Sequence, residues 1–172
     1  MATTNTDDPI ARLRELTTDQ RTVMLTTQTR SGATGKAQLE ARPLTVLDAD
    51  ERGSLWFLVS RTSDWVATLR ANTPSVATGS DDDDGSWFSV SGTVYLVDDR
   101  SRIAELWNPI AGAWFDGPDD PDLVAVRVQA DELSWWDSPS SGLVRLFKIA
   151  KAALGGDADD VGDHASESIS PS

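Results

Sequence analysis

An arginine directly before a proline, Arg42 before Pro43, is the pair in this sequence best suited to hold an anion. Proline has no N–H to give to a sheet, so it marks a strand edge or a bulge where nearby backbone groups can meet a ligand. An arginine guanidinium at such a place offers a planar set of donors that matches a phosphate. The alternative is a surface arginine paired with one of the many acidic side chains.

A second candidate anion site is the hydroxyl-rich string Ser60-Arg61-Thr62-Ser63, at the predicted end of a strand and the start of a helix. Hydroxyls and backbone amides at a helix N-terminus bind anions, and Arg61 adds positive charge. The same string is equally consistent with plain helix capping by Thr62 or Ser63.

Aromatic side chains in the second half of the chain could cover a flat ring system, although such residues more often fill a core or a dimer interface. They are Trp107, Trp114, Phe115, Trp135 and Trp136. The chain has no cysteine, and its one histidine, His164, lies in a polar C-terminal stretch. We therefore expect no thiol nucleophile, no histidine-dependent triad and no metal site, and we assign no catalytic residue.

The formal net charge of −13 argues against nucleic acid or an anionic membrane as the main partner. No apolar run is long enough to span a bilayer. The first residues, MATTNTDD, are polar and acidic, unlike a signal peptide. We expect a cytoplasmic protein.

Hydrophobic periodicity and turn residues predict an alternation of short helices and strands. The predicted helices are Pro9–Thr17, Asp64–Asn72, Arg100–Trp107 and Gly142–Leu154. The predicted strands are Val23–Gln28, Lys36–Leu47, a strand ending at Ser60, Ser75–Gly79, Trp87–Val97, Leu123–Gln129 and Glu132–Trp136. Two features are more specific: Ala37–Ser60 is interpreted as one hairpin with its turn at Asp48–Gly53, and Gly92 is predicted to form a bulge or bend.

These elements predict an α+β protein whose antiparallel strands, about six of them, close into a small barrel with short helices around it. The predicted organisation is a disordered N-terminus over 1–8, one domain over 9–154 and a disordered acidic tail over 155–172.

Several strings in this order resemble a known family. They are MLTTQTRSG, EARPL, SLWFLVSRTSDWVATLRANTPSV, SVSGTVYLVDDRSRIAELWNP, AWFDGPDDPDLVAVRV and LSWWDSPS, spread over Leu13–Leu154. The chain resembles the general stress protein 26-like branch of the pyridoxamine 5'-phosphate oxidase-like superfamily, the FMN-binding split barrels.

The resemblance implies a homodimer with FMN at the subunit interface. By position in the family, Arg42, Pro43 and Leu44 would line the flavin. Val59, Ser60 and Ser63 would continue along the next strand toward the phosphate, and Trp107 and Trp114 would lie near the pocket.

One departure from the family pattern concerns the phosphate. The family commonly has Ser-x-Lys at the start of the second helix, whereas this chain has Ser63-Asp64-Trp65. Trp65 therefore occupies a cofactor-binding position without supplying a charge. The loss of one charge-assisted contact corresponds to about 1.5–3 kcal/mol. Arg61 or Arg70 could compensate.

The resemblance implies an FMN-binding general stress protein that is a flavin-dependent oxidoreductase of unassigned substrate. The C-terminal segment offers little to a phosphorylated substrate, so oxidation of vitamin B6 is not predicted. The alternatives are a dimeric stress protein that holds FMN without turnover, and a split barrel that uses the deazaflavin F420 instead.

Overall fold

A computed structural model describes residues 8–19, 21–30, 35–69, 73–81, 86–137 and 163–169. The helices in these residues are α1 (Pro9–Asp19), α2 (Asp64–Thr68) and α3 (Arg100–Leu106), with a 3-10 turn at Ala111–Ala113. The strands are β1 (Thr22–Arg30), β2 (Ala37–Thr45), β3 (Asp48–Ala49), β4 (Ser54–Ser60), β5 (Thr73–Asp81), β6 (Ser86–Val97), β7 (Leu123–Asp137) and β8 (Asp163–Ser168). None of the helices in these ranges has the length and apolarity needed to span a bilayer.

The strands form one antiparallel sheet in the order β2-β1-β5-β6-β7-β4-β3, and β8 pairs with β7. The two ends of this path, β2 and β3, are consecutive in the chain. Between them, Val46 N–H donates to the Arg21 carbonyl at 2.6 Å and Leu47 N–H donates to the Trp56 carbonyl at 2.9 Å. The chain thus passes from β1 to β4 within two residues, which brings the ends of the sheet together. The predicted α+β split barrel is confirmed.

The predicted hairpin over Ala37–Ser60 was wrong about the pairing. Strand β2 pairs with β1, with Arg42 opposite Leu25, and β4 pairs with β7 and β3. The turn itself was correctly placed, because it joins β3 to β4 and Gly53 adopts the positive φ of 73° that the turn needs. An alternating pattern indicates a strand but not the strand with which it pairs. Two strands that are close in the sequence were therefore wrongly predicted to pair with each other.

Two predicted boundaries also differ from the structure. The two strands predicted at Leu123–Gln129 and Glu132–Trp136 are one continuous strand, β7. Helix α2 ends at Thr68 rather than Asn72, since Leu69 has an extended backbone. The helix predicted over Gly142–Leu154 lies outside the described residues, as does the N-terminal stretch 1–7.

The predicted disordered tail was wrong for residues 163–169. Strand β8 pairs with β7 in this segment, with Ser168 opposite Glu132. Ile169 follows it, donates its N–H to the Asp131 carbonyl and is 4% exposed. Backbone hydrogen bonding to a long partner strand and one buried isoleucine thus order a segment whose polar composition alone predicts disorder. The rest of the predicted tail lies outside the described residues.

Two apolar clusters stabilise the barrel. The larger one fills its interior and includes Leu25, Phe57, Val90, Val126 and Leu133. The smaller one lies under α3 and consists of Trp56, Ile103, Leu106, Leu123 and Ala125, with Leu47, Leu58 and Phe115 packed against it. The smaller cluster holds α3 and the segment after it against β4, which is where the candidate site forms.

Helix α3 begins after a capping residue, Asp99. Asp99 Oδ1 accepts hydrogen bonds from Ser101 N at 2.9 Å and Arg102 N at 3.4 Å. We expect Asp99→Ala to lower the free energy of unfolding by about 1 kcal/mol, measured by urea denaturation. Asp99→Asn keeps an acceptor and should lose less than half as much. Equal losses for the two variants would contradict a capping role.

Candidate functional site

An open groove lies where the end of β2, the end of β4 and the segment after α3 meet. Its volume is about 430 Å³, within the range of small-molecule sites. The residues that line it are Pro43, Leu44, Thr45, Leu47, Leu58, Val59, Ser60, Ser63, Trp65, Ile110, Ala111, Trp114, Phe115 and Asp122.

Most of the predicted cofactor-binding residues come together in this groove. Its walls include Pro43, Leu44, Val59, Ser60, Ser63, Trp65 and Trp114. Two predicted residues are not in its lining: Arg42 lies over the ring of Trp65, and Trp107 packs against the small cluster under α3. The predicted strand residues thus lie on two strands that meet at one groove, although the sequence analysis paired those strands with each other wrongly.

One end of the groove is an apolar wall suited to a flat ring. Leu44, Leu58 and Val59 contribute aliphatic surface from two strands. Trp114 is 81% exposed and Ile110 is 51% exposed, which is unusual for side chains of this size. A planar aromatic ligand would remove this apolar surface from water.

Arg42 is held beside the groove by four contacts. Its guanidinium lies 4.4 Å from the centre of the Trp65 ring, donates to Thr27 Oγ1 at 2.8 Å and to the Glu40 carbonyl at 3.1 Å, and lies 3.7 Å from the Glu40 carboxylate. Burial lowers the pKa of Arg42, while Glu40 acts in the opposite direction. The ring of Trp65 thus helps to orient the charge of Arg42.

The other end of the groove is organised by Asp122, which the sequence analysis missed. Asp122 Oδ2 accepts a hydrogen bond from Ser60 Oγ at 2.5 Å, and Asp122 Oδ1 accepts one from Thr62 N at 3.0 Å. The hydrogen bond from Ser60 and those from Thr62 lower the pKa of Asp122, so this carboxylate is ionised at neutral pH. No sequence signal separates Asp122 from the other acids of its loop.

The predicted anion site at the start of α2 lacks the expected support. Helix α2 has only five residues, and Ser63 at its start makes no side-chain capping bond. Arg61 is paired with Asp98 at 2.8 Å. Arg70, the other predicted compensating cation, lies outside the described residues. A short helix gives little dipole, so the start of α2 alone offers an anion little support.

Among the residues that the structure describes, no group of three or more His, Cys, Asp and Glu side chains could hold a metal ion.

Comparison with known proteins places this chain in a family. The profile described as pyridoxamine 5'-phosphate oxidase like matches residues 8–160. The chain belongs to this family. It is 30% identical over 81 residues to Protein bli-3 of Neurospora crassa, a match that covers 42% of this chain and 39% of that relative.

Solved structures show the same split-barrel fold. A general stress protein 26 from Jannaschia sp. CCS1 has a TM-score of 0.67 at 27% identity, over 92% of this chain and 94% of that one. The general stress FMN/FAD binding protein from Xanthomonas citri has a TM-score of 0.61 at 30% identity, over 77% of this chain and 89% of that one. The predicted resemblance to the general stress protein 26-like branch of the pyridoxamine 5'-phosphate oxidase-like family is confirmed.

Proposed function

We propose that this protein is an FMN-binding general stress protein, and that FMN lies in the groove between β2, β4 and the segment after α3. The observation that carries the proposal is the groove itself: an apolar wall with an exposed tryptophan, next to an arginine held in place by Trp65 and Thr27. A structural relative from Xanthomonas citri is described as FMN/FAD binding, which supports a flavin ligand here.

Each part of the groove has a role in this proposal. Leu44, Val59 and Trp114 would contact the isoalloxazine ring through apolar surface. Arg42 would approach the phosphate from beside Trp65, and the Ser63 hydroxyl, which makes no capping bond, is available to the ribityl chain or the phosphate.

We further propose that the protein works as a homodimer. Trp114 and Ile110 are exposed at the rim of the groove, and a second copy of the chain would cover them together with one side of the flavin. The predicted role of Trp107 near the pocket also depends on such a dimer, since Trp107 does not line the groove within one chain.

The direct test of binding is an equilibrium titration of the purified chain with FMN, followed by flavin fluorescence or visible absorbance. We expect saturable binding of one FMN per chain. Parallel measurements of the melting temperature with FMN and with F420 distinguish the two cofactors, because a ligand of the native state raises the melting temperature. No flavin absorbance after purification and no binding at high micromolar FMN would contradict the proposal.

The flavin, when bound, supplies the redox chemistry of an oxidoreductase, and the protein supplies binding and orientation. One observation favours the alternative of a dimeric stress protein that holds its flavin without turnover. Asp122 is the only titratable side chain in the described lining, and its lowered pKa leaves it without a proton to donate at neutral pH. Anaerobic mixing of the FMN complex with NADH or NADPH, followed by admission of oxygen as the electron acceptor, separates these cases. Flavin reduction followed by repeated turnover in oxygen supports the enzyme, and a flavin that stays oxidised supports a protein that binds its flavin without turnover.

A further inference from the structure

We propose that Asp122 is a specificity residue of the groove. Its carboxylate disfavours the phosphate of FMN, and it thereby reduces the preference of the groove for FMN over riboflavin, the flavin without a phosphate. This inference rests on the proposed flavin-binding function. It concerns which form of the flavin the groove accepts.

Asp122 already occupies the hydrogen-bond donors that a phosphate would use at this end of the groove. The Ser60 hydroxyl donates to Asp122 Oδ2 at 2.5 Å, and the Thr62 amide donates to Asp122 Oδ1 at 3.0 Å. The Ser60 and Thr62 hydroxyls are also within 2.9 Å of each other. The chain's own carboxylate thus takes the place of an external anion.

The charges around this end offset the carboxylate only in part, because Arg61 helps to lower the pKa of Asp122 but is also paired with another acid. Arg61, the nearest arginine in the chain, is 2.8 Å from Asp98, which also lies 3.5 Å from Arg100. Arg42 is fixed against Trp65 rather than against Asp122. Among the described lining residues, therefore, Asp122 carries the only formal charge, and that charge is negative.

A phosphate dianion that approaches Ser60 must either displace Asp122 from its donors or remain beside an ionised carboxylate. Both outcomes lower its affinity, because like charges that face each other at a binding site are unfavourable. Riboflavin ends in a hydroxyl instead, which can donate a hydrogen bond to the same carboxylate. One residue thus penalises the phosphorylated flavin and accepts the unphosphorylated one.

The test compares dissociation constants of FMN and riboflavin for the wild-type chain and for Asp122→Asn, measured by flavin fluorescence at one ionic strength. Asparagine keeps an oxygen for Thr62 N and removes the charge. We expect FMN affinity to rise about tenfold, while riboflavin affinity stays within about twofold of the wild type. Asp122→Ser provides a second neutral variant, and circular dichroism checks that each variant is folded.

Asp119→Asn is the matched control, because Asp119 is an exposed acid of the same loop that does not line the groove. It changes the net charge equally and should leave both affinities unchanged. Asp122→Glu keeps the charge and should not gain FMN affinity. An unchanged FMN affinity in both neutral variants, or an equal gain for both flavins, would overturn the role of Asp122. Failure of both flavins to bind the wild type and the neutral variants would overturn the proposed function instead.

Discussion

Arg42→Ala should weaken FMN binding by about ten- to a hundredfold, which is the largest effect on affinity that we expect from one side chain. The guanidinium lies over the ring of Trp65, which lines the groove, and the Arg42 side chain is only 14% exposed. Trp65 and Thr27 hold it in one orientation, so little conformational entropy is lost when a phosphate binds. The measurement is the FMN titration already described, repeated with riboflavin.

Because the contact is to the phosphate, riboflavin affinity should change much less than FMN affinity in Arg42→Ala. Arg61→Ala is the control: it removes an arginine that is close in the chain to the groove but paired with Asp98, and FMN affinity should remain near that of the wild type. An unchanged FMN affinity in a folded Arg42→Ala protein would remove Arg42 from the site.

Gly92→Ala should lower the free energy of unfolding by about 3 kcal/mol, the largest stability effect of a small substitution that we expect. The register of β6 against β7 shifts between Ser91 and Gly92. A Cβ on Gly92 would lie 2.1 Å from the Gln129 carbonyl oxygen and 3.1 Å from Ala130 Cα. Both are backbone atoms of the long strand β7, so the two strands would have to separate.

Urea denaturation at fixed pH measures this effect as a shift of the midpoint. Gly117→Ala is the matched control, because no atom lies within 4 Å of the added Cβ at that position. Its unfolding free energy should stay within about 0.5 kcal/mol of the wild type. If Gly92→Ala were as stable as Gly117→Ala, the bulge at Gly92 would not need a glycine.

The elements that follow from local chemistry were predicted from the sequence. The bulge at Gly92 is an example, because a glycine in a strand acts through its immediate neighbours. The partner of β2 and the strand β8 were not predicted. Both depend on hydrogen bonds between segments that are distant in the chain. The residues of β8 are also too polar to predict a strand from composition.

The candidate site was predicted only in part, because some of its contacts also join residues that are distant in the chain. The strand residues Leu44, Val59 and Ser60 were found through a family pattern, and the structure brings them into one groove. Asp122 was missed because its importance arises from a contact with Ser60 across sixty-two positions of the chain. The stacking of Trp65 on Arg42 was missed as well, since a tryptophan in place of a lysine signals a lost charge but not what the ring contacts.

A crystal structure of the protein grown with FMN would locate the cofactor. We expect electron density for the isoalloxazine ring in the groove, in contact with Leu44, Val59 and Trp114, and density for the phosphate on the side of Arg42. Flavin bound at another surface, or an empty groove at an FMN concentration that saturates the protein in solution, would contradict this expectation.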